Sequence, residues 1–188
     1  MKFDQSGLLA GRFASHFKVK LGTRMQAICF NIRKPTRSRI MSAVVFLVIV
    51  LAAASSGAVF KPGEWYENLR KPRWTPPKWA FPVVWTILYV LIGYAGWLIW
   101  DVAGWSLPMA LWGVQIVANA LWSYFFFGIR RMDLALVDVS VLWLSIVLFI
   151  LVAWPVAPLA SVLFVPYLVW VTAAGALNQS VRRLNPQA

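Results

Sequence analysis

Six side chains able to hydrogen-bond or stack lie inside stretches otherwise too apolar to hold them: Trp85, Gln115, Asn119, Trp122, Asp138 and Trp170. An indole offers a flat face and one N–H donor, an amide both donates and accepts, and an ionised carboxylate only accepts. Together these types suit non-covalent capture of a flat aromatic ligand, stacked on its faces and hydrogen-bonded at its rim. They do not suit bond-breaking chemistry. No nucleophile stands with a base, no carboxylates are paired and no phosphate-cradling loop occurs. The single histidine, His16, and the single cysteine, Cys29, both fall within the first forty residues. The usual strong metal ligands are therefore missing from the apolar stretches, and one cysteine makes no internal disulfide.

The elements that must position these residues follow from composition. Hydrophobic residues make up 61% of the 188 and charged ones only 13%. Uncharged runs separate Arg39 from Lys61, Lys78 from Asp101 and Asp101 from Arg130, and another extends from Val139 to Val181. A single membrane helix needs about 20 residues, so the last run holds more than one, and Pro155 and Pro158 divide it. The pattern predicts an all-α integral membrane fold of five transmembrane helices, at 42–60, 80–100, 106–127, 134–153 and 159–178. With alternating direction and a rise of about 1.5 Å per residue, the unusual polar and aromatic residues gather in one half of the bilayer. Above them lies the 61–79 loop, whose Pro72, Pro76 and Pro77 forbid regular helix between Trp65 and Ala80. With Trp65, Trp74, Trp79 and four cations (Arg70, Lys71, Arg73 and Lys78), this loop reads as a structured lid.

Plainer readings stand beside these. Trp97, Trp100, Trp105 and Trp154, near the opposite face, read as interfacial anchors; Trp112 and Trp143 stay unassigned. Gln115 and Asn119, one turn apart, serve either as interhelical hydrogen-bond glue or as ligand contacts. Asp138 is either a functional acid or the partner of Arg130, Arg131 or a loop cation. Pro166 is expected to kink the last helix one turn before Trp170. The small residues from Ala173 to Ala176 then allow close helix approach or leave room for a ligand. Ala110, Gly113, Val114 and Ala118 offer a flat face for a dimer.

The net charge of +12 raises nucleic acid as a partner, but its distribution argues against it. Nine of the eighteen basic residues fall in the first forty positions, and the other nine lie in the 61–79 loop, at Arg130-Arg131 and at Arg182-Arg183. All nine of the latter belong to one face of the five-helix arrangement, which the positive-inside rule assigns to the cytoplasmic side. Residues 1–40, on the opposite face, break that rule. Three readings apply to this arm: a cleaved targeting segment, an amphipathic surface arm, or an over-extended start with Met41 as initiator. The third is favoured because a membrane domain of 41–188 obeys the charge rule.

The motifs Trp65-Tyr66, Trp74-x-Pro76-Pro77, Phe81-Pro82-x-x-Trp85-Thr86-x-Leu88-Tyr89, Asn119-x-x-Trp122, Phe126-Phe127-Gly128 and Pro166-Tyr167-x-x-Trp170 with Asn178 occur in that order. Over about 42–185 the chain resembles the tryptophan-rich sensory protein/translocator protein family, which includes the peripheral benzodiazepine receptor. The resemblance implies a five-helix bundle, usually dimeric, that binds porphyrins and, in animals, cholesterol and synthetic ligands. It favours Trp85 and Trp170 as pocket lining, and together with the residue reading above the expected ligand site is Trp85, Trp170, Asn119, Trp122, Trp74, Ala174, Gln115 and Asp138. Porphyrin enters as ligand, with no obligatory cofactor, and the loop cations face either its propionates or anionic lipid. A sensor or regulator of tetrapyrrole status is the expected role. The alternatives are a porphyrin or sterol transporter and a light-dependent porphyrin-degrading enzyme. The sterol pattern fails here, because the first cation after Tyr167 is Arg182.

Overall fold

The computed structural model describes residues 36–187. The chain divides into two units, Met1–Arg39 and Ile40–Ala188, and the second holds the helical bundle. The expectations for residues 1–35, His16 and Cys29 among them, lie outside the described residues.

The elements in order are α1 (Thr36–Val59), α2 (Glu64–Asn68), α3 (Ala80–Ala103), α4 (Leu107–Ser123), α5 (Met132–Ala153) and α6 (Pro158–Leu184), with one wide π-type turn, Tyr124–Gly128, extending α4. Five of these helices are long and apolar enough to cross a membrane, and no strand occurs among the described residues. The chain is an integral multi-pass membrane protein. Several boundaries differ from expectation: the first long helix starts at Thr36 instead of 42 and the next runs to Ala103 instead of 100. The last helix runs to Leu184 instead of ending near 178, because Arg182 and Arg183 sit in its final turn, where the carbonyl end of a helix favours cations. Hydropathy ends there before the helix does. The short α2 occupies part of the loop predicted to be irregular; it precedes Pro72 and carries Glu64 and Glu67 in its first turn, where acids favour the helix start. Pro166 lies inside α6, which continues past it.

Packing centres on α3, α4, α5 and α6. Ile92, Ala95, Ile99, Ile146, Phe149, Ala160, Phe164 and Tyr167 are fully buried, and the Phe149 and Phe164 rings stack at 4.0 Å between α5 and α6. Association of helices in lipid depends on close packing and interhelical hydrogen bonds more than on water exclusion. Gly96 and Trp112 supply both. A Cβ at Gly96 would stand 2.4 Å from the Trp112 ring, so only glycine admits the indole, whose Nε1 then donates to the Ile92 carbonyl at 2.9 Å.

Helix α1 joins the bundle through Phe46, Val50 and Ala53, with Phe46 edge-on to Trp112 at 4.9 Å. Its opposite face, including Val44, Val45, Leu47, Val48 and Leu51, is exposed, as suits a helix bordering lipid. Of the residues expected to form a flat dimer face on α4, Ala110 and Val114 are exposed but Ala118 is buried in the core. Helical spacing explains the difference: Ala118 falls beside Gln115 and Asn119 on the inward side.

Candidate ligand-binding site

Three helices meet through one amide. Asn119 on α4 accepts from the Tyr89 hydroxyl of α3 at 2.7 Å and donates through Nδ2 to the Tyr167 hydroxyl of α6 at 2.9 Å. Trp85, one turn before Tyr89, lies 5.4 Å from it and meets Tyr167 edge-to-face at 6.2 Å. One turn earlier still, Phe81 meets Trp170 at 5.7 Å. Aromatic pairs therefore tie the first turns of α3 to the middle of α6. The final turns of α6 extend past the start of α3, to the level of the loop, where Asn185 accepts from the Arg70 N–H at 3.0 Å and donates to its carbonyl at 2.9 Å.

Below the loop, several buried polar atoms have no hydrogen-bond partner among the described residues: both amide atoms of Gln115 and of Asn178, Oδ2 of Asp138, and Nε1 of Trp122 and Trp170. Native interiors leave few such atoms unpaired, and in a membrane each one is costly. Their placement is not random. One apolar cluster contains Val139, Leu142 and Val171, and a second, nearer the loop, contains Phe126, Ala135 and Leu177. Asp138 stands between Ala135 and Val139 on α5, Asn178 follows Leu177 on α6, and Trp122 packs against both clusters. Asp138, Asn178 and Trp122 thus lie near the seam between the clusters, whereas Trp170 packs against the first cluster and Gln115 lies two turns below Trp122 on α4.

The lid over this seam is built on the π-type turn. A turn with an i+5 bond, here the Ile129 N–H to the Tyr124 carbonyl at 2.9 Å, is wider than an ordinary one and often marks a functional segment. It fans out Phe125, Phe126 and Phe127. Trp122 stacks on Phe126 at 5.1 Å. From α2, Trp65 and Tyr66 meet Phe126 at 6.2 and 6.0 Å, and Tyr66 meets Phe127 at 5.4 Å. Two loop cations turn inward onto the loop itself. Lys78 pairs with Glu67 at 2.8 Å. Lys71 sits 4.5 Å from the Tyr66 ring centroid and donates to the Glu67 carbonyl. The hydrogen bond from Lys78 holds the Glu67 carboxyl below its ordinary value, and burial, with Glu67 nearby, pushes the Tyr66 phenol up.

Among the residues expected from sequence, the structure links Trp85, Trp170 and Asn119 through Phe81, Tyr89 and Tyr167. Gln115 is fully buried one turn below Asn119, and Asp138 is buried on α5. Arg131, offered as a partner for Asp138, instead forms a two-pronged pair with Asp133 at 2.9 and 2.7 Å. Ala174 is half-buried one turn after Trp170. Trp74 stays 52% exposed on the loop and joins no ring contact, so it does not enter the cluster. Sequence reasoning left out Tyr89, Tyr167 and Asn178 as site residues. Spacing marks two of them: Tyr89 lies four residues after Trp85 and Asn178 four after Ala174, each on the same helical face. Of the tryptophans left unassigned, Trp112 is core, and Trp143 donates to Thr172 Oγ1 at 2.9 Å. Trp105 and Trp154 are exposed as interfacial anchors would be.

The sequence profile of the TspO/MBR family matches residues 41–184. "Protein CrtK" of Rhodobacter capsulatus is 43% identical over 146 residues, covering 76% of this chain and 91% of the relative. The "Tryptophan-rich sensory protein" of Cereibacter sphaeroides is 43% identical over 142 residues, 76% of this chain and 90% of its own length. The "Translocator protein" of Sus scrofa is 39% identical over 138 residues, covering 70% and 81% respectively.

Proposed function

Since the chain belongs to the TspO/MBR family, we propose that it is a membrane receptor that binds a flat tetrapyrrole of the protoporphyrin type and acts as a sensor of such compounds. The observation that carries this reading is the set of unpartnered polar atoms at the seam, flanked by indole rings. Pyrrole N–H groups suit the Asp138 oxygen as acceptor, and ring nitrogens or carboxylates suit the donors on Trp122, Trp170 and Asn178. Trp85 and Trp170 supply faces for stacking. Both are half-buried, so each keeps an accessible edge, and the aromatic lid above excludes water. The names of two relatives, a sensory protein and a translocator, support a receptor and raise transport as a second reading. Porphyrin flux in proteoliposomes above a leak control would favour transport.

Titration with protoporphyrin IX, followed by tryptophan quenching, tests the site. A well-formed aromatic contact is worth about 0.5–1.5 kcal/mol beyond its area, and lost packing adds to that. Trp85→Ala and Trp170→Ala should each weaken binding about tenfold, and Trp154→Ala should change little. Equal weakening by all three would mean general loosening of the bundle and would overturn the site. The basic face, carrying the 61–79 loop and the C-terminus, is proposed to be cytoplasmic. Cysteines introduced at Asn68 and Ser106 should then label from opposite sides of intact cells, the first from inside. A homodimer is proposed through the exposed part of α4 around Ala110 and Val114, and crosslinking between cysteines placed there checks it.

A further inference from the structure

At the loop end of the bundle, a cleft of about 620 Å³ opens between the turn before α5 and the last turns of α6; Arg130, Arg131, Asp133, Gln179, Arg182 and Arg183 are among the residues lining it. Four arginines and a single acid, Asp133, are thus among its lining residues. Asp133 is engaged by both prongs of Arg131, so the lining has no carboxylate left for Arg130, Arg182 or Arg183.

Part of this has an ordinary cause. Arg182 and Arg183 occupy the final turn of α6, where the helix dipole favours cations. That explanation does not reach Arg130. Its backbone is left-handed, at φ 58°, the sole non-glycine residue so placed among those described. A side chain with a Cβ is held in that region at a cost, and such positions cluster at ligand sites. Two bonds fix the turn: the Ile129 N–H to the Tyr124 carbonyl at 2.9 Å and the Arg131 N–H to the Phe125 carbonyl at 2.8 Å. The Arg130 guanidinium lies 5.7 Å from the Trp65 ring centroid. The backbone that carries this charge is therefore fixed, at the edge of the cleft.

We infer that this cleft binds the phosphodiester headgroup of an anionic phospholipid. Guanidinium forks match phosphate oxygens in geometry and charge. Basic pockets at the ends of membrane helices are suited to anionic headgroups. A membrane lipid fits better than a soluble phosphate because Ile129 and Leu184, the chain neighbours of Arg130 and Arg183, are apolar and 40% and 43% exposed. Next to the lining in the chain, they are exposed apolar surface that acyl chains can cover. None of the tetrapyrrole-site residues lines this cleft, so the two assignments stand or fall separately.

Native mass spectrometry of the full chain in detergent, with phosphatidylglycerol or phosphatidylcholine added, tests the inference. The wild-type chain should retain phosphatidylglycerol preferentially. A surface arginine contributes about 1 kcal/mol to anionic-lipid attraction, or roughly fivefold. Arg182→Gln/Arg183→Gln should therefore reduce phosphatidylglycerol retention at least about fivefold, and phosphatidylcholine should be unaffected. Arg130→Gly is the sharper variant: it relieves the left-handed backbone, so lipid-free thermal stability should hold or rise while lipid preference falls. Lys61→Gln/Arg73→Gln removes equal charge outside the cleft and should have little effect. Equal retention of both lipids, unchanged retention in the arginine variants, or an equal loss in the Lys61/Arg73 variant would overturn the proposal. Full displacement of phosphatidylglycerol by millimolar inorganic phosphate would identify a soluble phosphate as the ligand and overturn it equally.

Discussion

Trp112 and Trp170 are the same residue type in the same bundle, yet they are built into it in opposite ways. Trp112 is buried, clamped against Gly96, and its N–H reaches the Ile92 carbonyl. Trp170 is half-buried, meets Phe81 edge-on, and its N–H has no partner among the described residues. Around Trp112 the bundle is closed by tight ring stacking such as Phe149 on Phe164. Around Trp170 and Trp122 it holds two unpaired indoles, the Asn178 amide and a carboxylate. An indole with its hydrogen bond made is scaffold; one with the bond unmade is available to something else. What separates the two ends is how far the polar groups are satisfied, not aromatic content.

The largest expected effect tests the closed end. Gly96→Ala places a methyl group on the Trp112 ring, and overpacking of that kind costs about 1–3 kcal/mol. Displacing the Trp112–Ile92 bond adds about 1 kcal/mol. Thermal unfolding in detergent should register the combined loss, and a stability equal to wild type would mean the contact is not as tight as described. Next comes the junction between the ends. Asn119→Ala leaves the Tyr89 and Tyr167 hydroxyls without their shared partner, and about 1–3 kcal/mol should be lost. A double-mutant cycle with Tyr167→Phe should show strong coupling; simple additivity would argue against the linked chain.

A single substitution made at both ends sharpens the contrast further. Trp112→Phe removes a donor that is used and should destabilise by about 1 kcal/mol, leaving porphyrin affinity per folded molecule unchanged. Trp170→Phe removes a donor with no partner, so stability without ligand should stay level or rise while affinity falls. Matching stability losses in the two variants would erase the distinction. The smallest effect lies in the lid. The Glu67 carboxyl is held below its ordinary value by Lys78, so the tether is complete above that ordinary value. It is lost as pH falls through the lowered one. A spin label at Asn68 should gain mobility on acidification from neutral pH toward pH ~3. Glu67→Gln should be mobile throughout, with no pH dependence from this pair.

Much of the architecture was legible because membrane helices leave a strong signal. Uncharged runs of bilayer length located all five, and prolines divided the longest of them. The end of α6 was not legible from hydropathy, since its last turns carry arginine and pack against the loop through Asn185. The short α2 was hidden by the prolines that follow it. The sequence also marked most of the polar residues of the candidate site, because a polar side chain inside an apolar run is costly and stands out. It did not rank them.

By itself, then, the sequence determined the five spans, the basic character of the loop-side helix ends and the short list of unusual residues. These follow from properties read along one chain: length, hydropathy and residue type. Only the tertiary structure decided which tryptophan N–H groups are satisfied and that Asn119 joins Tyr89 to Tyr167. Only it showed Arg131 turned to Asp133 rather than Asp138, and Arg130 held left-handed beside two arginines from another helix. Hydrogen bonding and charge pairing between helices depend on rotation and depth to within an ångström or so. Hydropathy along a single helix carries no information at that precision.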